Sequence, residues 1–391
     1  MIKILTLYCI MLNLVLFAQQ TKSLVYSNPL IGGNESVWML ARSKEGFLVC
    51  APGICLPSTV GCTSMRNYSK TNDLLWEKFF DTIGPGSFDG IKFEDQITYL
   101  TLWNKTQDKD QDFLYKLDSI GNVIKIVQID EDTVVNLNKI VKNINIIRDT
   151  IVLTHAKWIS PGPDSVFFLF YDKDLNPLRR LALTENRKWD IALGIHGTLD
   201  GNFIYSKHFK SETDFYDDSI GVYKLRPDGS TVWKYKQGIS FNNTPFRDFL
   251  VINSDSTSSF FTNIEKNFND KMKFPNFPII TKLSNDGDTI WVCRLINKDY
   301  KVIYKMEGDG KDEFISVGFY KYVFLKPDDP KTGQYFGWIS KLDKDGKLKW
   351  SRNYTDDQYG KANCYLYDVT TLDNGDIIAA GELDQKQINP P

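Results

Sequence analysis

The sequence has no surplus of either charge: 47 Lys and Arg stand against 49 Asp and Glu in 391 residues, a formal net charge of −2. Nucleic-acid binding driven by bulk charge is thereby excluded, because no basic excess exists to displace phosphate counterions. Histidine is scarce, with only His155, His196 and His208, and there is no CxxC pair. Neither a metal centre nor a cofactor is expected from such a donor set. Beyond residue 18 no apolar run reaches the roughly 20 residues of a spanning helix, so the mature chain is expected to carry no transmembrane segment. No Ser/His/Asp order, phosphate loop or catalytic carboxylate pair can be assembled from spacing.

What is abundant is apolar and aromatic. Hydrophobic residues make up 42% of the chain, and 25 Phe, 19 Tyr and 9 Trp bring the aromatic share to 14%. This excludes a disordered chain and favours strands over helices. Residues 1–18 read as a secretory signal peptide. Lys3 precedes an apolar run from Ile4 to Phe17, and Ala18 offers a small residue for cleavage. The expected location is therefore secreted or at the cell surface. Removing the signal leaves Cys50, Cys55, Cys62, Cys293 and Cys364, an odd count in an oxidising compartment. Cys55 and Cys62 are a candidate disulfide in a loop-like stretch; burial as small apolar side chains is the alternative for all five.

The chain repeats internally. One half-unit reads Lys-Leu-Asp-x-x-Gly-x-x-x-Trp, clearest in Lys341-Leu342-Asp343-Lys344-Asp345-Gly346-Lys347-Leu348-Lys349-Trp350. Relatives of it end at Trp76, Lys125, Arg179, Trp233 and Trp291, so successive copies are 49, 54, 54, 58 and 59 residues apart. A second half-unit is a turn followed by a short apolar run. It occurs seven times, beginning near Gly46, Gln96, Asp149, Gly201, Ser259, Glu313 and Gly375. Each half-unit has the chemistry of a β-hairpin: Asp/Asn-Gly supplies the left-handed turn position, and β-branched or aromatic runs flank it. Two hairpins per unit make a four-stranded sheet that cannot bury both faces alone. Arranged radially such sheets form a β-propeller, whereas solenoid repeats are usually shorter.

The expected fold is thus an all-β propeller of four-stranded blades occupying residues 19–391. Seven blades with an incomplete last one are expected, and six are the alternative. Leu24-Val25-Tyr26-Ser27-Asn28 is similar to Leu348-Lys349-Trp350-Ser351-Arg352, so the N-terminal segment is expected to supply a strand to the last blade. The pattern after Glu382-Leu383 calls for another Lys-Leu-Asp hairpin, which makes a C-terminal truncation the expectation.

In these motifs the chain resembles the secreted propeller-repeat proteins of the Bacteroidetes, over residues 23–383. The resemblance implies fold and export rather than an activity, since most such proteins have none assigned. A sorting domain of the type IX secretion system, common in that group, is not seen. Two enzyme-bearing propeller motifs come near. The quinoprotein repeat lacks a match because the Asp-to-Gly distance is one shorter and its threonine is missing. The sialidase Asp box is approached by Ser284-Asn285-Asp286-Gly287-Asp288-Thr289-Ile290-Trp291, with Gly and Trp displaced. Both read as convergent turn chemistry.

Strand alternation places the Asp-Gly turns of both hairpins on one face and the longer loops on the other. The turn aspartates are expected to bind their own backbone N–H groups, not calcium. The long-loop stretches 51–66, 103–112, 155–165, 206–219, 264–277 and 318–337 carry candidate ligand contacts: Trp103, His155, Trp158, His208, Tyr216, Tyr320 and Tyr335. Aromatics on a rigid scaffold can stack on sugars or anchor a protein; packing over blade ends is the alternative. Asp-Ser/Thr-apolar triplets also resemble the O-glycosylation sequon of exported Bacteroidetes proteins, at Thr82, Ser119, Thr133, Thr150, Ser165, Ser219, Ser256 and Thr289. The function expected is a monomeric, non-enzymatic propeller that binds a protein or glycan. A polysaccharide hydrolase or lyase with a site at the central channel is the alternative.

Overall fold

The computed structural model describes residues 39–54, 61–81, 87–105, 110–129, 138–158, 165–183, 191–209, 219–238, 250–255, 257–264, 277–295, 300–309, 312–321, 334–354 and 363–384. Blade 1 consists of β1 (Met39–Arg42), β2 (Gly46–Ile54), β3 (Gly61–Ser69) and β4 (Leu74–Asp81). Blade 2 is β5 (Ser87–Glu94), β6 (Ile97–Lys105), β7 (Asp110–Leu117) and β8 (Val123–Ile129). Blade 3 is β9 (Asn138–Ile147), β10 (Thr150–Trp158), β11 (Ser165–Asp172) and β12 (Pro177–Ala182). Blade 4 is β13 (Ile191–Gly197), β14 (Phe203–Phe209), β15 (Ser219–Leu225) and β16 (Thr231–Gly238). Blade 5 is β17 (Leu250–Ile252), β18 (Ser258–Ile264), β19 (Phe277–Leu283) and β20 (Thr289–Arg294). Blade 6 is β21 (Tyr300–Gly308), β22 (Phe314–Lys321), β23 (Tyr335–Leu342) and β24 (Leu348–Tyr354). A final two-stranded sheet pairs β25 (Asn363–Thr371) with β26 (Ile377–Asp384).

Every sheet is an antiparallel meander, and first strands lie side by side at β1/β5, β5/β9, β9/β13, β17/β21, β21/β25 and β25/β1, which is the propeller arrangement. The seven apolar runs read from the sequence are the second strands of the seven sheets. The six Lys-Leu-Asp copies are the third-to-fourth-strand hairpins of the six four-stranded ones. Six blades are complete, as the six-bladed alternative has it. The expectation of a three-stranded seventh is not met among the described residues, where the last sheet has two strands. The segment around Leu24–Asn28 lies outside the described residues. No helix of the described residues is long and apolar enough to cross a membrane.

Burial follows strand position. The second and third strands are buried on both faces because alternate residues enter different inter-blade cores. Ile151 and Leu153 pack between blades 2 and 3, whereas Val152 packs with Phe168, Ile195 and Phe203 between blades 3 and 4. Fourth strands alternate between exposed and half-buried, as on an outer rim. The two-stranded sheet is wedged between blade 6 and blade 1. Val369, Ile377 and Ala379 meet Ile315, Val317 and Ile339 on one side. Leu372, Ile378 and Ala380 meet Leu40, Phe47 and Val49 on the other.

Candidate functional site at the channel and its long-loop end

The innermost strands do not run straight. Register shifts occur at Phe88/Gly90 in β5, Ala192/Gly194 in β13, Ile303/Lys305 in β21 and Leu366/Asp368 in β25. A bulge of this kind turns one residue out of the pairing alternation. In the last two strands the residue so displaced is a tyrosine, Tyr304 and Tyr367, and their rings lie 5.2 Å apart.

From this pair an aromatic stripe runs toward the β22–β23 end. Tyr367 stacks on Tyr365 at 6.3 Å with planes 2° apart. Tyr365 meets Tyr335 at 5.3 Å and Phe319 at 5.4 Å, and Phe319 returns to Tyr304 at 5.5 Å. Phe319 is buried, while the four tyrosines are half-exposed. Tyr367 donates its hydroxyl to Glu382 Oε2 at 3.2 Å. Burial, and then the Glu382 carboxylate, push the Tyr367 phenol well above its ordinary range, so this ring stays neutral and a donor. Four polar-tipped rings on rigid strands form a surface suited to stacking with hydroxyl contacts at its margin.

Further down the channel, two carboxylates hold the strand β25 to its neighbours. Glu307 Oε1 accepts Thr371 N at 3.2 Å and Thr370 Oγ1 at 3.3 Å. Asp368 Oδ2 accepts Leu40 N of blade 1 at 2.9 Å, and its Oδ1 accepts its neighbour Val369 N. Burial of the Glu307 carboxyl raises its proton affinity; Asp368 adds to this, and Lys305 and Lys92 oppose it.

The opposite face is turn chemistry. Asp172 Oδ1 accepts Asp174 N at 2.9 Å and Asn176 N at 2.8 Å, and Asp343 repeats this with Asp345 N and Lys347 N. Those N–H bonds, that of Asn176 foremost, hold the Asp172 carboxyl below its usual range. The expectation that motif aspartates serve their own turns is met at these positions. Among the described residues no group of three His, Cys, Asp or Glu side chains is placed to hold a metal ion.

The motif lysine had no role assigned from sequence. It stands directly across the β-pair from the motif tryptophan, as Lys341 does from Trp350, and its ammonium reaches the first turn of its own blade. Lys341 bonds Asp309 at 3.0 Å and Glu313 at 2.7 Å; Lys224 bonds Asp200 at 2.6 Å. The signal was present as Lys spaced from an acidic turn about 25 residues earlier, but it becomes visible only once strands 2 and 3 are paired.

The candidate contacts chosen from sequence fall mainly on strand ends rather than loops. Trp103, His155, Trp158 and His208 end second strands β6, β10 and β14; their side chains lie outside the described residues, as does Tyr216 altogether. These strands, of nine, nine and seven residues, simply run past their apolar cores into the stretches expected to be loops. Tyr320 is buried and stacked on Phe336 at 5.0 Å in the core of blades 4 to 6. Among the described side chains of the set, Tyr335 joins the tyrosine stripe; Tyr304 and Tyr367 were missed because bulges cannot be read from a hydropathy pattern, and Tyr365 because it lies on an inner strand outside the long-loop stretches. Cys50, Cys293 and Cys364 are free thiols, and burial pushes that of Cys50 well up. Cys55 and the Cys62 side chain lie outside the described residues. Of the glycosylation candidates, Ser119 and Thr289 are exposed, Thr150 is partly covered and Ser219 is buried. Thr82, Thr133 and Ser256, with the Ser165 side chain, are outside the described residues.

No protein-family model and no curated protein matches the sequence. Among solved structures, similarity is found to a protein of unknown function from Dyadobacter fermentans, with TM-score 0.49 and 10% identity over 81% of this chain and 96% of that one. A puromycin hydrolase is similar with TM-score 0.45 and 8% identity, over 91% of this chain but 60% of that one. The β-propeller domain of the trilobed protease from Pyrococcus furiosus, described as having an open velcro topology, gives TM-score 0.43 and 11% identity over 83% and 96%. No activity passes from any of these to the present chain.

Proposed function

We propose that the chain is an exported, non-enzymatic β-propeller that binds a glycan or protein at its long-loop end. The carrying observation is the stripe of Tyr304, Tyr335, Tyr365 and Tyr367 over the junction of blade 6 and the last sheet. Stacking platforms on rigid strands recognise flat or ring-shaped ligands with little ordering cost. Export rests on the signal-peptide pattern of residues 1–18.

A glycan array with the full chain, followed by calorimetry on the best ligand, tests this. Tyr335→Ala and Tyr365→Ala are expected to weaken binding at least tenfold, about 1.4 kcal/mol, with little change in Tm. Binding that survives both changes defeats the stripe as the site. Intact mass of the native protein tests sugar attachment at Ser119 and Thr289.

The second reading, a polysaccharide hydrolase or lyase, draws on the two channel carboxylates Glu307 and Asp368. Against it, both carboxylates are already engaged by backbone N–H groups of β25 and β1. Release of reducing sugar from polysaccharides by wild type, abolished in Glu307→Gln, would establish it.

A further inference from the structure

The tyrosine stripe carries a negative charge at its margin. Glu382 stands directly across the β25–β26 pair from Tyr365, so the two side chains leave the sheet on one face. Tyr367, displaced by the bulge, reaches the same carboxylate and donates its hydroxyl to Oε2 at 3.2 Å. A neutral phenol gives a hydrogen bond without a counter-charge, and burial, then Glu382 itself, keep this one neutral. Asp368 follows Tyr367 in β25 and accepts Leu40 N and Val369 N, both at 2.9 Å and again from neutral donors. Lower in the channel, Lys305 and Lys92 offset Glu307.

Charge and ring faces act in the same direction. The face of a phenol ring is the negative part of its quadrupole and attracts cations, more strongly where water is displaced. An ammonium donating to a carboxylate forms a bond roughly twice as strong as a neutral donor does. Glu382 is partly covered, so a ligand of opposite charge offsets its desolvation best. The length of the stripe sets the ligand's shape. Tyr304, Tyr367, Tyr365 and Tyr335 succeed one another at 5.2, 6.3 and 5.3 Å. A single lysine or arginine side chain covers part of that length, whereas a chain of sugar rings lies along all of it. An amino sugar combines both properties: an apolar C–H face and an ammonium on the same ring.

We propose that the stripe takes a cationic oligosaccharide, built of sugars with free amino groups, that sets an ammonium on Glu382 and ring faces on Tyr365 and Tyr367. This rests on the stripe being the binding site and adds the charge and class of its ligand. Neutral glycans lack the group that pairs with Glu382, and anionic ones meet its repulsion, so a single carboxylate both attracts the right ligand and disfavours the wrong ones.

Calorimetry of the full chain with glucosamine oligomers, and with N-acetylglucosamine oligomers of equal length, tests this at mildly acid pH, where the free amines are protonated. Wild type is expected to bind the protonated oligomer about tenfold more tightly, a preference that shrinks as salt is raised. Glu382→Gln keeps an oxygen for the Tyr367 hydroxyl but no charge, and is expected to bind the two oligomers about equally. Tyr365→Ala is expected to weaken binding of both, with thermal unfolding showing that each variant keeps its fold. Equal binding by wild type, tighter binding of the N-acetylated oligomer, a preference that persists in Glu382→Gln, or binding of neither oligomer overturns the inference. Equal binding that is lost in Tyr365→Ala removes the charge preference and leaves the stripe as the site. Binding that survives both Tyr335→Ala and Tyr365→Ala removes the stripe as well.

Discussion

The indole of Trp291 lies against Gly346 of the next blade and donates its Nε1–H to the carbonyl of Lys344 at 3.0 Å. The relation repeats around the ring. Trp76 lies against Gly121 and donates to Ser119 O at 3.0 Å; Trp233 lies against Gly287 and donates to Asn285 O at 2.8 Å. Where the tryptophan is replaced, the function is kept: Lys125 donates to Asp174 O and Arg179 to Pro227 O, both at 2.6 Å. The Gly and Trp of one repeat therefore never serve each other. In blades 1 to 5 the aromatic or cation reads the turn of the blade that follows.

That relation predicts unequal costs for glycines of the same backbone geometry. At Gly346, φ +77°, and at Gly375, φ +86°, a β-carbon in the left-handed region costs about 1–2 kcal/mol. A β-carbon at Gly346 would also meet the Trp291 ring at 2.9 Å, whereas at Gly375 nothing lies within 4 Å. Gly346→Ala is expected to destabilise more than Gly375→Ala, by a further ~1 kcal/mol in urea denaturation. Equal losses would show that the indole moves aside freely.

Trp291→Ala, by the same logic, acts on two blades. It removes a ring that packs edge-on to Phe314 at 6.0 Å and leaves the Lys344 carbonyl without its donor. A loss of about 3–5 kcal/mol is expected. In a double-mutant cycle with Gly346→Ala the two changes should be clearly less than additive, because the clash requires the ring.

How much of this was legible in the sequence divides by the range of the interaction. Hairpins were readable because Asp343, Gly346 and their flanking runs act within ten residues, where turn chemistry is local. The pairing of Trp291 with Gly346 spans two blades, and Lys341 with Glu313 spans two strands; neither distance is fixed until the sheets are paired. Tyr304 and Tyr367 owe their placement to bulges in the innermost strands, an extra residue that an alternation pattern absorbs without trace. The apolar run Ile151-Val152-Leu153 was legible as a strand, but not that its alternate residues enter two different cores.

The lysine of the repeat carries a second prediction. Lys224 is almost fully buried and bonds Asp200 Oδ2 at 2.6 Å and the Asn285 carbonyl at 3.2 Å. Partial burial raises the proton affinity of Asp200, but the bonds from Lys224 and Thr198 outweigh it and hold the carboxyl far below its ordinary range. Lys224→Met is expected to cost about 1–2 kcal/mol, the lower part of the range for charged hydrogen bonds because Asp200 is partly exposed. The sign with pH follows. The stability is present above the unfolded carboxyl range and lost as pH falls through the depressed value, so wild type and Lys224→Met should converge in strong acid. Guanidinium titrations at neutral and acid pH check this; a constant gap would mean that packing of the lysine stem carries the effect.

Leu175 occupies the glycine position of its turn, at φ 60°, yet is only 1% exposed. Two opposing effects meet there. Leu175→Gly relieves a left-handed conformation costing about 1–2 kcal/mol. It also removes a side chain packed with Tyr99, Leu114, Leu153 and Tyr171, and deletions of this size in a core cost about 2–5 kcal/mol. The cavity outweighs the relieved backbone, so Leu175→Gly is expected to lower stability despite supplying the residue that the motif prefers. Leu175→Asn separates the two effects: asparagine tolerates the left-handed region but brings a polar group into the core, so it should be the worse of the two. Thermal unfolding of both variants checks the order. A stabilised Leu175→Gly would mean that the turn, and not the core between blades 2 and 3, dictates this position.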